Sequence, residues 1–95
     1  MKRFFEWSHT KRLYNLENHG LDFIDVSRVW TSLLVIQEDN RKDYGEKRYV
    51  VLGLLHDRVV VIVYTLRGLH IIRIISFRRT NAREIKIYEK NIKSN

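Results

Sequence analysis

The chain has 95 residues, contains no cysteine and carries a formal net charge of +7 at pH 7. This length supports one domain with one core, residues 1–95, and the 44% of hydrophobic residues excludes a disordered chain. The lack of cysteine excludes a disulfide framework, a thiol nucleophile and a cysteine zinc site.

The apolar runs indicate in which compartment the protein is expected, and the charge balance indicates which kinds of partner it binds. The longest apolar run, residues 59–66, is too short to span a membrane, and the N-terminus lacks the apolar segment of a signal peptide. We therefore expect a cytoplasmic protein with no membrane partner. Excess positive charge on so small a domain favours a polyanion, namely RNA, DNA or an acidic protein, bound on an open surface or shallow groove.

The first third of the chain predicts a strand followed by two helices. Residues 4–7 are typical of a short strand, and Ser8 is a good N-cap for a helix that runs to about His19. Gly20 then stands where many helices end in a left-handed residue. Asp22 opens a second short helix that is apolar around much of its circumference, which predicts a position against the sheet.

The middle of the chain predicts strands. Residues 34–36 favour a strand, and the polar stretch 38–46 favours a loop. Short turns separate the later β-branched runs, which indicates an antiparallel meander. These runs are residues 47–55, 58–66 and 70–77.

The end of the chain predicts a closing helix. Thr80 is a suitable N-cap, and Ile85, Tyr88 and Ile92 recur on one helix face. The predicted order is therefore β-α-α-β-β-β-β-α. This order indicates an α+β fold with an antiparallel sheet and helices packed mainly on one face.

Alternation sorts the side chains of the last strand onto two faces. An arginine among isoleucines is costly unless it is paired, lies at an edge or opens onto a groove. Strict alternation places Arg73 with Ile71, Ile75 and Phe77 on one face, and Ile72, Ile74, Ser76 and Arg78 on the other.

Basic residues occur near the ends of neighbouring strands and on the helix that follows, so they predict a stripe rather than one cluster. A guanidinium binds two phosphate oxygens in a fork and keeps its charge at every relevant pH. Attack by the neighbouring 2′-hydroxyl of RNA builds negative charge on the phosphate, which fixed cations stabilise without a metal. Glu46, Glu84, Tyr88 or a histidine can exchange the protons.

Simpler interpretations stand beside this chemistry. Arg67 fits a solvated turn, the pair Arg78 and Arg79 fits contacts with helix carboxylates or with an acidic partner, and Tyr88 fits a packing role. The four histidines show no metal-ligand spacing, so neither a metal nor a cofactor is expected.

The ordered motifs resemble those of the BrnT family. FEWSHTKRLYNLENHGLDFIDV is similar to a signature of Phe-x-Trp-Asp, a helix with Asn, then Lys-His-Gly and a second helix with Phe. EKRYVVLG, VYTLRG and RIISFRRTNAREIKIYE resemble Glu-x-Arg…Gly, Thr-x-Arg and Arg-Ile-Ile-Ser-x-Arg blocks with a closing Glu and Tyr. The chain departs from this pattern at Ser8, Asn18, Thr80 and Ile85, where the family commonly has Asp, Lys, Ala and Arg.

The resemblance implies a RelE-like fold and the toxin of a type II toxin–antitoxin system, a metal-independent endoribonuclease that inhibits translation and growth. It also implies a cognate BrnA-like ribbon-helix-helix antitoxin, with operator DNA bound only by the toxin–antitoxin complex. Together with the basic stripe, it suggests phosphate binding by Arg67, Arg78 and Arg79. Glu46, Glu84 and Tyr88 would transfer protons or orient the arginines. The RNA track would continue over Lys47, Arg48, Arg73, Arg83 and Lys86.

Two other functions remain open on the sequence. One is a non-catalytic antitoxin-binding module that acts in a DNA-binding autorepressor complex. The other is a free DNA-binding protein, although no helix carries a basic face of the helix-turn-helix kind.

Overall fold

The computed structural model describes residues 3–93, in which three α-helices accompany one sheet of five strands. The observed order confirms the predicted order and the α+β class. The elements are β1 (Phe4–Glu6), α1 (His9–His19), a 3-10 turn (Phe23–Asp25), α2 (Val26–Val29), β2 (Val35–Glu38), β3 (Tyr49–Leu55), β4 (Arg58–Arg67), β5 (Ile71–Arg79) and α3 (Ala82–Lys93).

The sheet has the strand order β1-β5-β4-β3-β2 and is mixed rather than wholly antiparallel. Strands β2 to β5 form the predicted antiparallel meander. The expectation of an all-antiparallel sheet is wrong for β1, which pairs in parallel with β5, Phe4 opposite Ile71 and Glu6 opposite Arg73. Short turns impose antiparallel pairing only on strands that follow each other, and most of the chain separates β1 from β5.

Strands β3 and β4 are apolar on both faces, so each face of the sheet needs a cover. Val51 and Ile62 belong to one hydrophobic cluster, together with residues of the 3-10 turn and α2. Their neighbours Leu52 and Val61 belong to a second cluster, which Tyr88 of α3 completes. Because adjacent side chains of a strand point to opposite faces, α2 and α3 cover opposite faces. The helices therefore do not all lie on one face, and we name the two surfaces the α2 face and the α3 face.

A β-bulge interrupts the pairing of β4 with β5. Val63 pairs with Ser76, and the next residue of β4, Tyr64, pairs with Ile74. Ile75 is therefore the extra residue of β5, and the alternation of side chains shifts by one position there.

The bulge changes the face on which Arg73 lies. Ile72, Ile74 and Phe77 all belong to the cluster on the α2 face. Arg73 and Arg78 consequently share the α3 face, so the prediction that Arg73 shares a face with Phe77 is wrong. Strict alternation cannot anticipate an extra residue in one strand of a pair.

The predicted limits of α1 are confirmed by its caps. The Ser8 hydroxyl accepts a hydrogen bond from the Lys11 N–H at 3.3 Å. At the other end Gly20 has φ of 71°, a left-handed conformation that glycine adopts without strain, and its N–H donates to the Leu16 carbonyl.

Buried Asn15 joins α1 to β5. Its side-chain amide donates to the Phe77 carbonyl at 2.7 Å and accepts from the Phe77 N–H at 3.0 Å. It also donates to the Leu21 carbonyl at 3.0 Å. Strand β1 pairs with β5 only from Ile71 to Arg73, so it does not reach Phe77. The Asn15 amide makes the backbone hydrogen bonds to Phe77 that a neighbouring strand would otherwise make.

Gly53 explains how closely α2 approaches the sheet. A Cβ atom at this position would lie 2.6 Å from Val29 Cγ1 and 2.9 Å from Leu34 Cδ2. The absence of a side chain is therefore a packing requirement of β3.

The N-terminus of α3 differs from the prediction. The Asn81 side chain accepts from the Glu84 N–H at 2.8 Å, and the Glu84 carboxylate accepts from the Asn81 N–H at 3.0 Å. This reciprocal arrangement is a capping box, so the cap is Asn81 and not Thr80. The Thr80 hydroxyl instead donates to the Val59 carbonyl.

Candidate functional site

A groove of about 550 Å³ runs along the α3 face, between α3 and the segment that follows β2. Its floor is apolar because it consists of strand side chains on that face. Charged residues of the surrounding walls, including Arg41, Arg78 and Glu84, open onto this floor. The floor residues include Val50, Leu52, Val61 and Val63.

Arg78 is held in the groove by Glu84. Its Nη1 and Nη2 atoms donate to the two carboxylate oxygens at 2.9 and 2.8 Å. Glu84 also caps α3, so β5 and the first turn of α3 position the pair together. The hydrogen bonds from Arg78 lower the pKa of the Glu84 carboxyl, which keeps it ionised at neutral pH.

A second group of charges lies on the same face, near the other end of β4. The Glu46 carboxylate lies 3.3 Å from Arg48 Nε and 3.7 Å from Arg67 Nη2. Arg73 forms an ion pair with Glu6 of the adjacent strand β1. Each of these guanidiniums therefore has a carboxylate partner that limits its motion.

The register separates the two groups along β4. Arg78 lies opposite Val61, and Arg73 lies opposite Thr65. Four residues of strand separate the two backbone positions by about 13 Å, and Glu6 and Glu84 hold the two guanidiniums separately, so we treat them as two groups. We call Arg48, Arg67, Arg73 and Arg78 the arginine row, because they occur along one face as the predicted stripe required.

Arg79 does not join the arginine row. Its Nη1 atom lies near the C-terminal cap of α1, 3.9 Å from where a Cβ of Gly20 would be. Neighbouring residues of a strand point to opposite faces, which separates Arg79 from Arg78. The structure therefore does not bring the predicted pair to one phosphate.

The side chain of Tyr88, a residue of α3, is buried between the helix and the sheet rather than exposed in the groove. Its ring is buried against Leu52 and Val61, and its hydroxyl donates to the Leu33 carbonyl at 2.8 Å. Burial raises the pKa of this phenol. Ile85, expected on the same apolar face, remains exposed.

The remaining predicted RNA-binding residues are on the surface. Lys47 is exposed, and its carbonyl accepts from the buried Thr65 hydroxyl at 2.7 Å. Arg83 and Lys86 are exposed on α3. They can extend a cationic surface but are not placed by an ion pair in the way that Arg78 is.

Sequence reasoning missed the segment between β2 and β3, which it treated as a polar loop. There Asp39 is buried, and it binds the guanidinium of Arg41 and the hydroxyl of Tyr44. The Arg48 guanidinium lies 4.1 Å from the centre of the Tyr44 ring. The spacing of Asp39 and Arg41 was the only signal, and many solvated loops contain such a pair.

Within residues 3–93, the structure supports neither a metal site nor a membrane-spanning helix. No group of three or more histidine, aspartate or glutamate side chains is placed to hold a metal ion there. Across the same residues, no helix has the length and apolar character needed to cross a membrane.

Acid should destabilise the fold through these ion pairs. Hydrogen bonds from Arg12, Arg41 and Arg78 lower the pKa of Asp22, Asp39 and Glu84 respectively. A carboxyl with a lowered folded-state pKa stabilises the fold above its unfolded pKa, and that stabilisation is lost as the pH falls towards the folded value. We expect the melting temperature to hold from pH 7 to about 5 and to fall below about pH 4, near the unfolded carboxyl values.

Thermal unfolding followed by circular dichroism at each pH checks this expectation. Asp39→Asn removes one of the titrating groups, so its melting temperature should depend less steeply on pH than that of the unaltered protein. A melting temperature that stays constant from pH 7 to 3 would contradict the expected role of the ion pairs.

Comparison with known proteins identifies the family. The family model described as "Ribonuclease toxin, BrnT, of type II toxin-antitoxin system" matches residues 7–84. A search of curated proteins gives no significant match. The ribonuclease toxin BrnT of Brucella abortus, known from a crystal structure, is similar in fold, with a TM-score of 0.64 and 22% identity over 85% of this chain and 99% of that chain. Because the family model matches most of its length, the chain belongs to the BrnT family of ribonuclease toxins of type II toxin–antitoxin systems.

Proposed function

We propose that this protein is a metal-independent endoribonuclease that cleaves RNA in the cytoplasm and thereby inhibits translation and growth. The observation that carries this proposal is the arginine row, in which carboxylates hold the guanidiniums along one face. Fixed cations of this kind stabilise a phosphate whose negative charge increases during reaction. Their positions are set before the substrate binds, so little reorganisation is needed.

In the proposed reaction, the 2′-hydroxyl attacks the adjacent phosphate. The bond from the 2′-oxygen to phosphorus forms, and the bond from phosphorus to the 5′-oxygen of the next nucleotide breaks. The products are a 2′,3′-cyclic phosphate and a free 5′-hydroxyl. A base takes the proton of the 2′-hydroxyl, and an acid returns a proton to the leaving oxygen.

Arg78 is the proposed phosphate ligand at the reacting centre, because it opens onto the groove and is fixed by two short hydrogen bonds. Glu84 uses both oxygens for Arg78 and also caps α3, which suits an orienting role. Glu46 contacts Arg48 and Arg67 at the other end of β4, so we assign it to orienting those two arginines rather than to proton transfer beside Arg78. Tyr88 would keep α3 against the sheet.

The remaining basic residues would bind RNA outside the reacting centre. Arg67 and the other members of the arginine row face the same side as the groove. Arg79 lies towards α1, so we assign it to a flanking part of the RNA path. The other flanking residues are the exposed Lys47, Arg83 and Lys86.

We further propose a BrnA-like ribbon-helix-helix antitoxin as the neutralising partner, with operator DNA bound by the complex. Membership of a toxin–antitoxin family supports an antitoxin partner. The non-catalytic alternative has one observation in its favour: the arginine row is paired internally and does not need RNA to satisfy its guanidiniums.

An RNA cleavage assay separates the two. Purified protein is incubated with end-labelled mRNA, alone in EDTA or bound to ribosomes in Mg²⁺ buffer, and product ends are tested for a 2′,3′-cyclic phosphate. Cleavage in EDTA that the purified antitoxin abolishes is the expected result. Intact RNA under both conditions, from a folded protein that still binds the antitoxin, would favour the non-catalytic module.

A further inference from the structure

The carboxylate of Asp39 is buried in an unusual setting. The side chain is 2% exposed, and it follows directly after the edge strand β2. Other buried polar side chains of the described residues, Asn15 and Thr65, join segments distant in sequence. The carboxylate of Asp39 instead binds its own segment, since it accepts from the backbone N–H and guanidinium of Arg41 and from the Tyr44 hydroxyl.

These contacts orient Arg41. Its Nε and Nη2 atoms donate to the two carboxylate oxygens of Asp39 at 2.8 and 2.9 Å. The Arg41 side chain is nevertheless 72% exposed, so a buried anion holds one edge of the guanidinium while the Nη1 side remains accessible. An isolated surface arginine samples many rotamers, whereas this one has less freedom to lose when a ligand binds.

Arg41 faces the same groove as Arg78. Arg41 lines the wall formed by the segment after β2, and Arg78 lines the wall formed by β5 and α3. Arg78 has the largest effect in lowering the pKa of the Glu84 carboxyl, and the charge of Arg41 makes a smaller contribution. Arg41 therefore lies within electrostatic range of Glu84. Two guanidiniums held by carboxylates therefore open onto one apolar floor.

The same segment connects to the arginine row. The Tyr44 hydroxyl donates a hydrogen bond to the Asp39 carboxylate at 3.2 Å. The Arg48 guanidinium lies over the Tyr44 ring, 4.1 Å from the ring centre. The Asp39 N–H donates to the Arg48 carbonyl at 2.7 Å. Asp39 thus fixes Arg41 directly and contributes to the position of Arg48.

We propose that Arg41 is a second phosphate-binding residue of the groove and that Asp39 is the positioning residue that holds it there. The ligand is a phosphodiester of the RNA backbone, and this inference rests on the proposed function. The accessible Nη1 side of Arg41 binds a phosphate next to the one that Arg78 binds, so the RNA backbone crosses the groove.

The test measures binding of a fully 2′-O-methylated RNA oligonucleotide, which cannot be cleaved by its own 2′-oxygen, and cleavage of the unmodified RNA is measured in parallel. Arg41→Gln removes the proposed ligand. Lys42→Gln removes the same charge from the adjacent residue and is the matched control. We expect R41Q to raise the Kd about tenfold and to reduce the slope of log K against log salt by about 0.7, while K42Q stays within about twofold of the unaltered protein.

A double-mutant cycle tests Asp39. We expect D39N to weaken binding when Arg41 is present and to add less in the R41Q background, because Asp39 acts mainly through Arg41. Thermal unfolding verifies that each variant is folded. If D39N does not fold, the comparison of R41Q with K42Q still decides the role of Arg41.

The outcomes separate this inference from the function on which it rests. Equal binding by R41Q, K42Q and the unaltered protein, with cleavage intact, overturns the role of Arg41 and leaves the ribonuclease proposal standing. An equal loss from D39N in both backgrounds overturns the positioning role of Asp39. An unaltered protein that neither binds nor cleaves RNA overturns both proposals.

Discussion

Changing Arg78 to Gln should lower the RNA cleavage rate by roughly 100- to 1,000-fold, the size of effect seen when a fixed donor to a developing oxyanion is removed. The side chain lies in the groove, and Glu84 fixes both of its terminal nitrogens. Glutamine is shorter and uncharged, so it keeps neither the positive charge in the groove nor the two bonds to Glu84 that position it. Single-turnover cleavage of a labelled RNA measures the change, and growth after induction gives the corresponding effect on toxicity.

Arg79→Gln is the matched control, since it makes the same chemical change one residue further along β5. Arg79 lies towards the C-terminal cap of α1, outside the groove. We expect it to affect RNA affinity and the salt dependence of binding, with little loss of the single-turnover rate at saturating protein. Full activity of a folded R78Q variant, or an equal loss of rate in R79Q, would refute the assignment of Arg78 to the reacting centre.

The largest expected effect on stability comes from Asn15. Asn15→Leu keeps the approximate size of the side chain but removes its bonds to the N–H and carbonyl of Phe77 and to the carbonyl of Leu21. Buried polar groups of the backbone then lose their partners, each at a cost of about 1–3 kcal/mol. We expect the free energy of unfolding to fall by about 3–5 kcal/mol, a large part of the total for a small domain.

Urea denaturation monitored by tryptophan fluorescence measures this change. Asn18→Leu is the control, because Asn18 is exposed on the same helix and its amide donates only to the Tyr14 carbonyl one turn earlier. That variant should stay within about 0.5 kcal/mol of the unaltered protein. Equal unfolding free energies for N15L and N18L would show that the link between α1 and β5 contributes little.

The site was only partly predictable. The stripe along the sheet followed from the predicted hairpins, and the structure pairs Arg67 with Ile71 and Arg78 with Val61. The sequence suggested that helix carboxylates could contact Arg78 and Arg79, but it did not decide which carboxylate would hold which arginine. Glu84 holds Arg78 because the turn after β5 brings the start of α3 back over the groove, and Asp39 holds Arg41 because the chain bends after β2.

By itself, the sequence determined the order and type of the elements and the caps of α1, because these depend on hydrophobic periodicity and on residues within one turn of each other. The ordered motifs also identified the family. Only the tertiary structure decided the parallel pairing of β1, the separation of Arg78 from Arg79 across the sheet, and the position of Arg73. The bulge at Ile75 arises from the pairing of two strands, and it moves every later side chain of β5 to the other face. Local periodicity is a property of one segment, whereas the face on which a charge emerges depends on the partner of that segment.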